Sequence, residues 1–127
     1  MLKHLPFLLL VLLCSCQKDT TVSDSIIGEW QLVQTNFDRG DGTVIPSSIS
    51  NGFTIEFQSN GRYRANTSTC QFHSYPDTPS EGRYDTDQQR LIPSDCQEFN
   101  VRYNWSNDTL WTYLPCREFC SYRFHRR

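Results

Sequence analysis

The chain has no apolar stretch long enough to cross a bilayer, no block of basic charge and no convincing run of helical period. Its longest apolar stretch, residues 5–13, is broken by Pro6. A helix needs about 20 residues to cross a hydrocarbon core of about 30 Å, so this stretch is not a transmembrane span. The net charge is −2, and the basic residues are scattered apart from the pair Arg126 and Arg127. Phosphate binding needs a concentrated basic surface, so nucleic acid is excluded as an expected partner. There is no Gly-x-Ser-x-Gly elbow, no His-Glu-x-x-His helix, no phosphate-binding glycine loop and no dinucleotide fingerprint. Beyond the first few residues the only histidines are His73 and His125. A hydrolytic site could be assembled from His73 with Asp77 or Asp95, but polar residues in long loops are ordinarily just solvated. The expectation is a protein that is not an enzyme and uses no cofactor or metal.

What is there begins with an export signal. Lys3 and His4 precede the apolar stretch, and Cys14, Ser15 and Cys16 follow it, the layout of a secretory signal peptide. Leu13, Cys14, Ser15 and Cys16 resemble the bacterial lipobox of Leu, a tolerant position, a small residue and Cys. The resemblance implies that residues 1–15 are removed and that Cys16 becomes a lipidated, palmitate-bearing N-terminus anchored in a membrane. Cys14 fits worse, because Leu13 stands where a small side chain is required. Gln17, Lys18 and Asp19 are similar to the tag that sends some lipoproteins to the outer face of the outer membrane. That similarity implies a bacterial outer-membrane location with surface display, the periplasmic face being the alternative. Residues 16–25 are polar and aperiodic, as expected of a tether.

Residues 26–127 are enough for a single domain with one modest core. Apart from Cys14 and Cys16 the cysteines are Cys70, Cys96, Cys116 and Cys120. In an oxidising, exported setting an even set of four predicts two disulfides, with three possible connectivities. A zinc site is the rival reading, because Cys70 and His73 have ligand-like spacing and Cys116 and Cys120 lie close in sequence.

From Ile26 onward short stretches rich in aromatic and β-branched residues alternate with clusters of Asn, Gly, Asp and Ser, which predicts an all-β domain. Eight strands are expected, at 28–35, 52–58, 62–68, 81–85, 89–93, 101–105, 109–114 and 119–125. Ser59, Asn60 and Gly61 make the clearest hairpin turn, and residues 85–88 and 106–108 make two others. If consecutive strands pair, the three short turns share one end of the sheet with the tether. The longer connections, 36–51, 69–80, 94–100 and 115–118, share the other end, where all four cysteines gather. Phe53, Ile55, Phe57, Tyr63, Ala65, Val101, Tyr103, Trp105, Leu110, Leu114, Tyr122 and Phe124 fall on one inner face. Thr54, Glu56, Arg62, Arg64, Arg102, Asn104, Arg123 and His125 fall opposite. The predicted fold is an eight-stranded antiparallel up-and-down barrel, stapled by disulfides at its long-loop end.

The first strand carries Gly28-x-Trp30, and with eight meandering strands the domain resembles the lipocalin-like domains of small bacterial lipoproteins. The resemblance implies that Trp30 plugs the closed end of a barrel beneath a basic residue of the last strand, Arg123 or Arg126. It also implies a binding mode: a small apolar or amphipathic ligand at the open end, held by Phe53, Tyr63, Tyr103, Trp105, Tyr122, His73 and Arg117. The alternative is an accessory lipoprotein whose filled barrel binds another envelope protein through its rim. The aromatics, including Tyr84, Trp111 and Tyr113, read either as a binding wall or as core and cross-strand pairs.

Overall fold

The computed structural model of the protein describes residues 25–71, 75–99, 101–117 and 119–127. The leader, Cys16, all but the last residue of the tether, and His73 lie outside the described residues. Nine strands follow one another: β1 (Gly28–Asp38), β2 (Val44–Ser48), β3 (Thr54–Phe57), β4 (Arg62–Ala65), β5 (Ser80–Asp85), β6 (Arg90–Pro93), β7 (Val101–Ser106), β8 (Thr109–Tyr113) and β9 (Cys120–Arg126). Every pairing is antiparallel, and β1 pairs with both β3 and β9. The sheet therefore closes on itself, and β1 with β3 to β9 makes an eight-stranded barrel.

The ninth strand corrects the expected loop at 36–51. That segment holds the last three residues of β1 and all of β2, joined by a turn that the sequence encodes densely. The Asp38 carboxylate accepts the backbone N–H groups of Gly40 and Gly42 at 2.8 and 3.1 Å, and the Asp41 carboxylate accepts that of Thr43 at 2.8 Å. Gly40 and Gly42 supply the positive φ the turn requires, 96° and 81°.

β2 and β3 lie along the same edge of β1, one after the other. Residues 44–48 pair with 38–34 and residues 54–57 pair with 31–28. Between them, 49–53 swing out opposite Leu32 and Val33, and the ladder resumes on each side through Ile49 N–H to Val33 O at 3.0 Å and Leu32 N–H to Phe53 O at 2.8 Å. On its other edge β1 shifts register against β9 between Leu32 and Gln34. Extra residues bend a strand; β1 stays paired with β9 as far as Phe37 and exchanges β3 for β2 on its other edge, which places β2 on the rim. Among the described residues the far edge of β2 has no partner strand. Arg39 with Thr43 and Ile49 with Val33 are bonded pairs, so by alternation Pro46 turns its nitrogen to the free edge. A proline there presents no donor and blunts the edge against further pairing.

The hairpin turns gather at one end. Gly61 at φ 79° and Asn107 at φ 54° make the tight bends at 58–61 and 106–109. Asp85 accepts the N–H groups of Asp87 and Gln88 and closes the third turn. The long loops with their cysteines occupy the opposite end, as the alternation of strand direction requires.

Inside, period-two alternation delivers the expected face. Phe53, Ile55, Phe57, Tyr63, Ala65, Val101, Tyr103, Leu110, Tyr122 and Phe124 are buried, joined by Trp30, Leu32 and Leu91. Trp105 and Leu114 are partly buried against that core. Aromatic rings fill it edge to face: Phe57 on Tyr84 at 5.1 Å between centroids, and Phe53 on Phe124 at 5.4 Å.

Candidate binding site

The closed end is built around Trp30, which is fully buried. Its indole N–H donates to Ile26 O at 2.8 Å. The Arg126 guanidinium lies over the ring, 4.1 Å from its centroid, and donates to the carbonyls of Ile27, Ser25 and Asn107. Arg126, and not Arg123, is thus the basic residue against Trp30. Alternation along β9 decides between them: Phe124 points inward, Arg123 sits on the outer wall opposite Trp111, and Arg126 reaches past the last turn of the barrel.

At the open end, the chain after β4 folds into the mouth. Thr67, Ser68 and Thr69 are buried. Ser80 Oγ donates to Thr67 O at 2.9 Å and accepts Thr69 N–H at 3.2 Å, while Thr67 Oγ1 donates to Pro76 O. The Tyr63 hydroxyl shares a 2.9 Å hydrogen bond with Thr69 Oγ1, so the plug is tied to the barrel wall beneath it. Tyr75 closes over Phe53 and Tyr122, with centroids 6.0 and 6.4 Å apart. Within the barrel the gap left among Phe53, Ile55, Leu91, Val101, Tyr122 and Phe124 is about 10 Å³, room for one water at most.

The expected ligand-binding residues do not converge on the mouth. Phe53, Tyr63 and Tyr122 are core side chains under the plug. Tyr103 and Trp105 run toward the short turns, where the Tyr103 hydroxyl donates to Asp85 O at 2.9 Å. Arg117 is exposed on the rim, and His73 lies outside the described residues. Sequence alternation gave the correct face but not the height along the barrel axis, and that height depends on strand tilt and on where each chain reverses. Burial raises the phenol of Tyr63 from 10.0 to about 12, the bond to Thr69 opposing the shift. Burial likewise raises Tyr103 and, more weakly, Tyr84.

The rim is stapled twice. Cys70 pairs with Cys96 and Cys116 with Cys120, each with Cα atoms 6.0 Å apart, within the range a disulfide spans. Of the three connectivities this is the one in which each bond is local to the rim: the first joins the loops after β4 and β6, and the second closes the turn between β8 and β9. Cys70, Cys96 and the exposed Asp95 come close enough to suggest a metal site, but the two sulfurs are bonded to each other and cannot both act as thiolate ligands. Of the acids considered as partners for His73, Asp77 is exposed, as is Asp95.

A second surface emerges on the outside of the wall. A groove of about 380 Å³ runs over β7 and β8, lined by Gln88, Gln89, Arg102, Asn104, Tyr113 and Phe119. Tyr113 and Phe119 are in ring contact at 6.4 Å, and Asn104 Nδ2 donates to the Tyr113 hydroxyl at 3.3 Å. Trp111 is half-buried beside them. Trp111 and Tyr113 are therefore outer-wall residues, and their spacing, offset by one from the buried Leu110 and Thr112, was the signal for it.

No family model matches the chain, and neither a curated protein nor a solved structure does.

Proposed function

We propose that the protein is an exported bacterial lipoprotein, held at the outer membrane by an acyl chain on Cys16, whose solid barrel binds another envelope protein through the disulfide-stapled rim. The filled interior carries this reading: a small-molecule site needs a cavity of about 300 to 1,000 Å³, against about 10 Å³ here. With the interior closed, binding falls to the surface. Among the described residues the exposed large apolar side chains are Ile27, Val44 and Phe119, and two of them sit at the rim. The lipobox residues Leu13 to Cys16 support the anchor, and Gly28, Trp30 and Arg126 support kinship with lipocalin-like lipoprotein domains. Ser25, the one described residue of the tether, is held by Arg126 at the turn end, which supports a rim turned away from the membrane.

Two measurements test the proposal. Cys16→Ser should move the protein from the membrane to the soluble fraction, and unchanged membrane association would remove the anchor. A photo-crosslinking side chain at Val44 should give one discrete adduct with an envelope protein in the native membrane, while the same probe at Asn60 on the turn end gives none. Native mass spectrometry showing a stoichiometric apolar small molecule instead would restore the ligand-carrier reading.

A further inference from the structure

The outer wall of β6 to β9 combines arginines and aromatic rings in two adjacent rows. Arg90, Arg102 and Tyr113 are cross-strand neighbours in one row, and Asn104, Trp111 and Arg123 in the next. On the opposite wall Glu29, Glu56, Arg64 and Glu81 stand side by side, whereas the first arginine row has one carboxylate, Asp85, at its end beside Arg90. Among the described residues no carboxylate lines the groove over β7 and β8. Among the described residues the ion pairs are Arg62 with Glu81 and Arg127 with Glu29, and neither involves Arg90, Arg102 or Arg123.

Three polar atoms on this wall are buried with no hydrogen-bond partner: Nε of Arg90, Nε of Arg123 and Oδ1 of Asn104. A buried polar group left unpaired costs about 1 to 3 kcal/mol, so the protein leaves this wall three bonds short, to be completed by water or by a ligand. The two Nε–H groups need an acceptor, best an anionic one, and the Asn104 oxygen needs a donor. Hydroxyl groups do both. Trp111 and Tyr113 add ring faces on which a flat, C–H-rich surface stacks.

An extended peptide takes its affinity from an unpaired strand edge, and β6 to β9 are paired on both edges. The wall thus binds through side chains alone, which suits a hydroxylated ring better than a polypeptide backbone. We propose that this wall binds an acidic oligosaccharide, its carboxylates facing Arg102, Arg90 and Arg123 and a sugar ring stacked on Trp111. The groove shares Phe119 with the rim, but the arginines and Trp111 lie on the wall, so the site stands whether or not the rim binds a protein.

The test is calorimetric titration of the full-length protein in detergent with oligogalacturonate, alginate and hyaluronan oligosaccharides, alongside cellohexaose, poly-glutamate and oligothymidylate. Saturable binding to at least one acidic oligosaccharide is expected, with the other three ligands at least about tenfold weaker. Trp111→Ala and Arg102→Gln should each weaken it about tenfold or more, and Trp111→Phe should retain most of it. Arg102 is exposed, so its variant tests the site even if loss of Trp111 disturbs the wall. The proposal is overturned if no acidic oligosaccharide binds saturably, if poly-glutamate or oligothymidylate binds as tightly, or if Arg102→Gln binds as the parent does.

Discussion

The Arg126 guanidinium sits 4.1 Å above the ring of Trp30 and is held there by three backbone carbonyls. Gly28 makes the approach possible: it lies at φ 129°, and a Cβ there would come within 3.2 Å of Arg126 Nη1. The Gly-x-Trp pattern is thus one half of a latch whose other half lies almost a hundred residues away. Removing the guanidinium with Arg126→Gln should cost about 1 to 2 kcal/mol by urea denaturation, from a lost cation–π contact and unpaired carbonyls. Trp30→Ala, which empties the plug, should cost about 3 to 5 kcal/mol. Equal and small effects from both would show that the latch contributes little.

Gly82 faces Pro93 across β5 and β6 with the Tyr63 ring against it. A methyl group there would meet the Ile92 carbonyl oxygen, Tyr63 Cε1 at 2.8 Å and Pro93 Cα at 2.9 Å. Two of these are backbone atoms in a paired strand and cannot give way. Gly82→Ala should therefore destabilise by about 2 to 3 kcal/mol, lowering the melting temperature by roughly 8 °C or more for a domain of this size. A melting curve superimposable on the parent's would show that the wall yields at this point.

The two staples differ in reach: 26 residues separate Cys70 from Cys96, and 4 separate Cys116 from Cys120. By chain entropy the longer loop contributes about 3.5 kcal/mol and the shorter about 2 kcal/mol. Replacing Cys70 and Cys96 together by Ser should accordingly cost more stability than replacing Cys116 and Cys120. Non-reducing peptide mapping should recover these two pairings and no free thiol among the four. Equal losses would point to effects within the folded rim in place of chain entropy.

Alkaline titration should unfold the domain. In the unfolded chain a tyrosine ionises near 10.0, whereas folded Tyr63 does so at about 12. The raised folded value means that stability is intact below pH 10 and falls as pH climbs from about 10 to 12, because there the unfolded state has lost a proton that the folded state keeps. Tyr63 alone withdraws roughly 2 to 3 kcal/mol over that window. Tyr84 and Tyr103 shift in the same direction. Phenolate absorbance should appear together with the loss of β-sheet circular dichroism, and Tyr63→Phe should make the loss shallower. Phenolate signal rising well before unfolding would show these rings to be accessible.

The strand positions were legible in the sequence because each barrel strand has one wet and one dry face, so Phe53, Ile55 and Phe57 alternate with polar residues. The turn at Asn60 and Gly61 was legible for the same local reason. β2 was missed although Asp38, Gly40, Asp41 and Gly42 encode its turn, because Val44 to Ser48 lie on the rim and bury no alternating face. The height of Phe53, Tyr63, Tyr103, Trp105 and Tyr122 along the barrel was not legible, because alternation reports which side of the wall a residue occupies and nothing about its height. Trp111 and Tyr113 were recognised as notable aromatics, but only the paired register showed them flanked by Arg102, Asn104 and Arg123.

By itself the sequence determined the all-β class, the count and order of the barrel strands, their inward faces and the end at which the cysteines collect. These follow from a two-residue period and from turn chemistry acting over a few neighbours. Tertiary structure alone decided that Cys70 meets Cys96, that Arg126 and not Arg123 covers Trp30, and that the described side chains leave a gap of only about 10 Å³ inside the barrel. Each of those depends on distances between segments far apart in the chain, which closure of the sheet sets and no local pattern encodes.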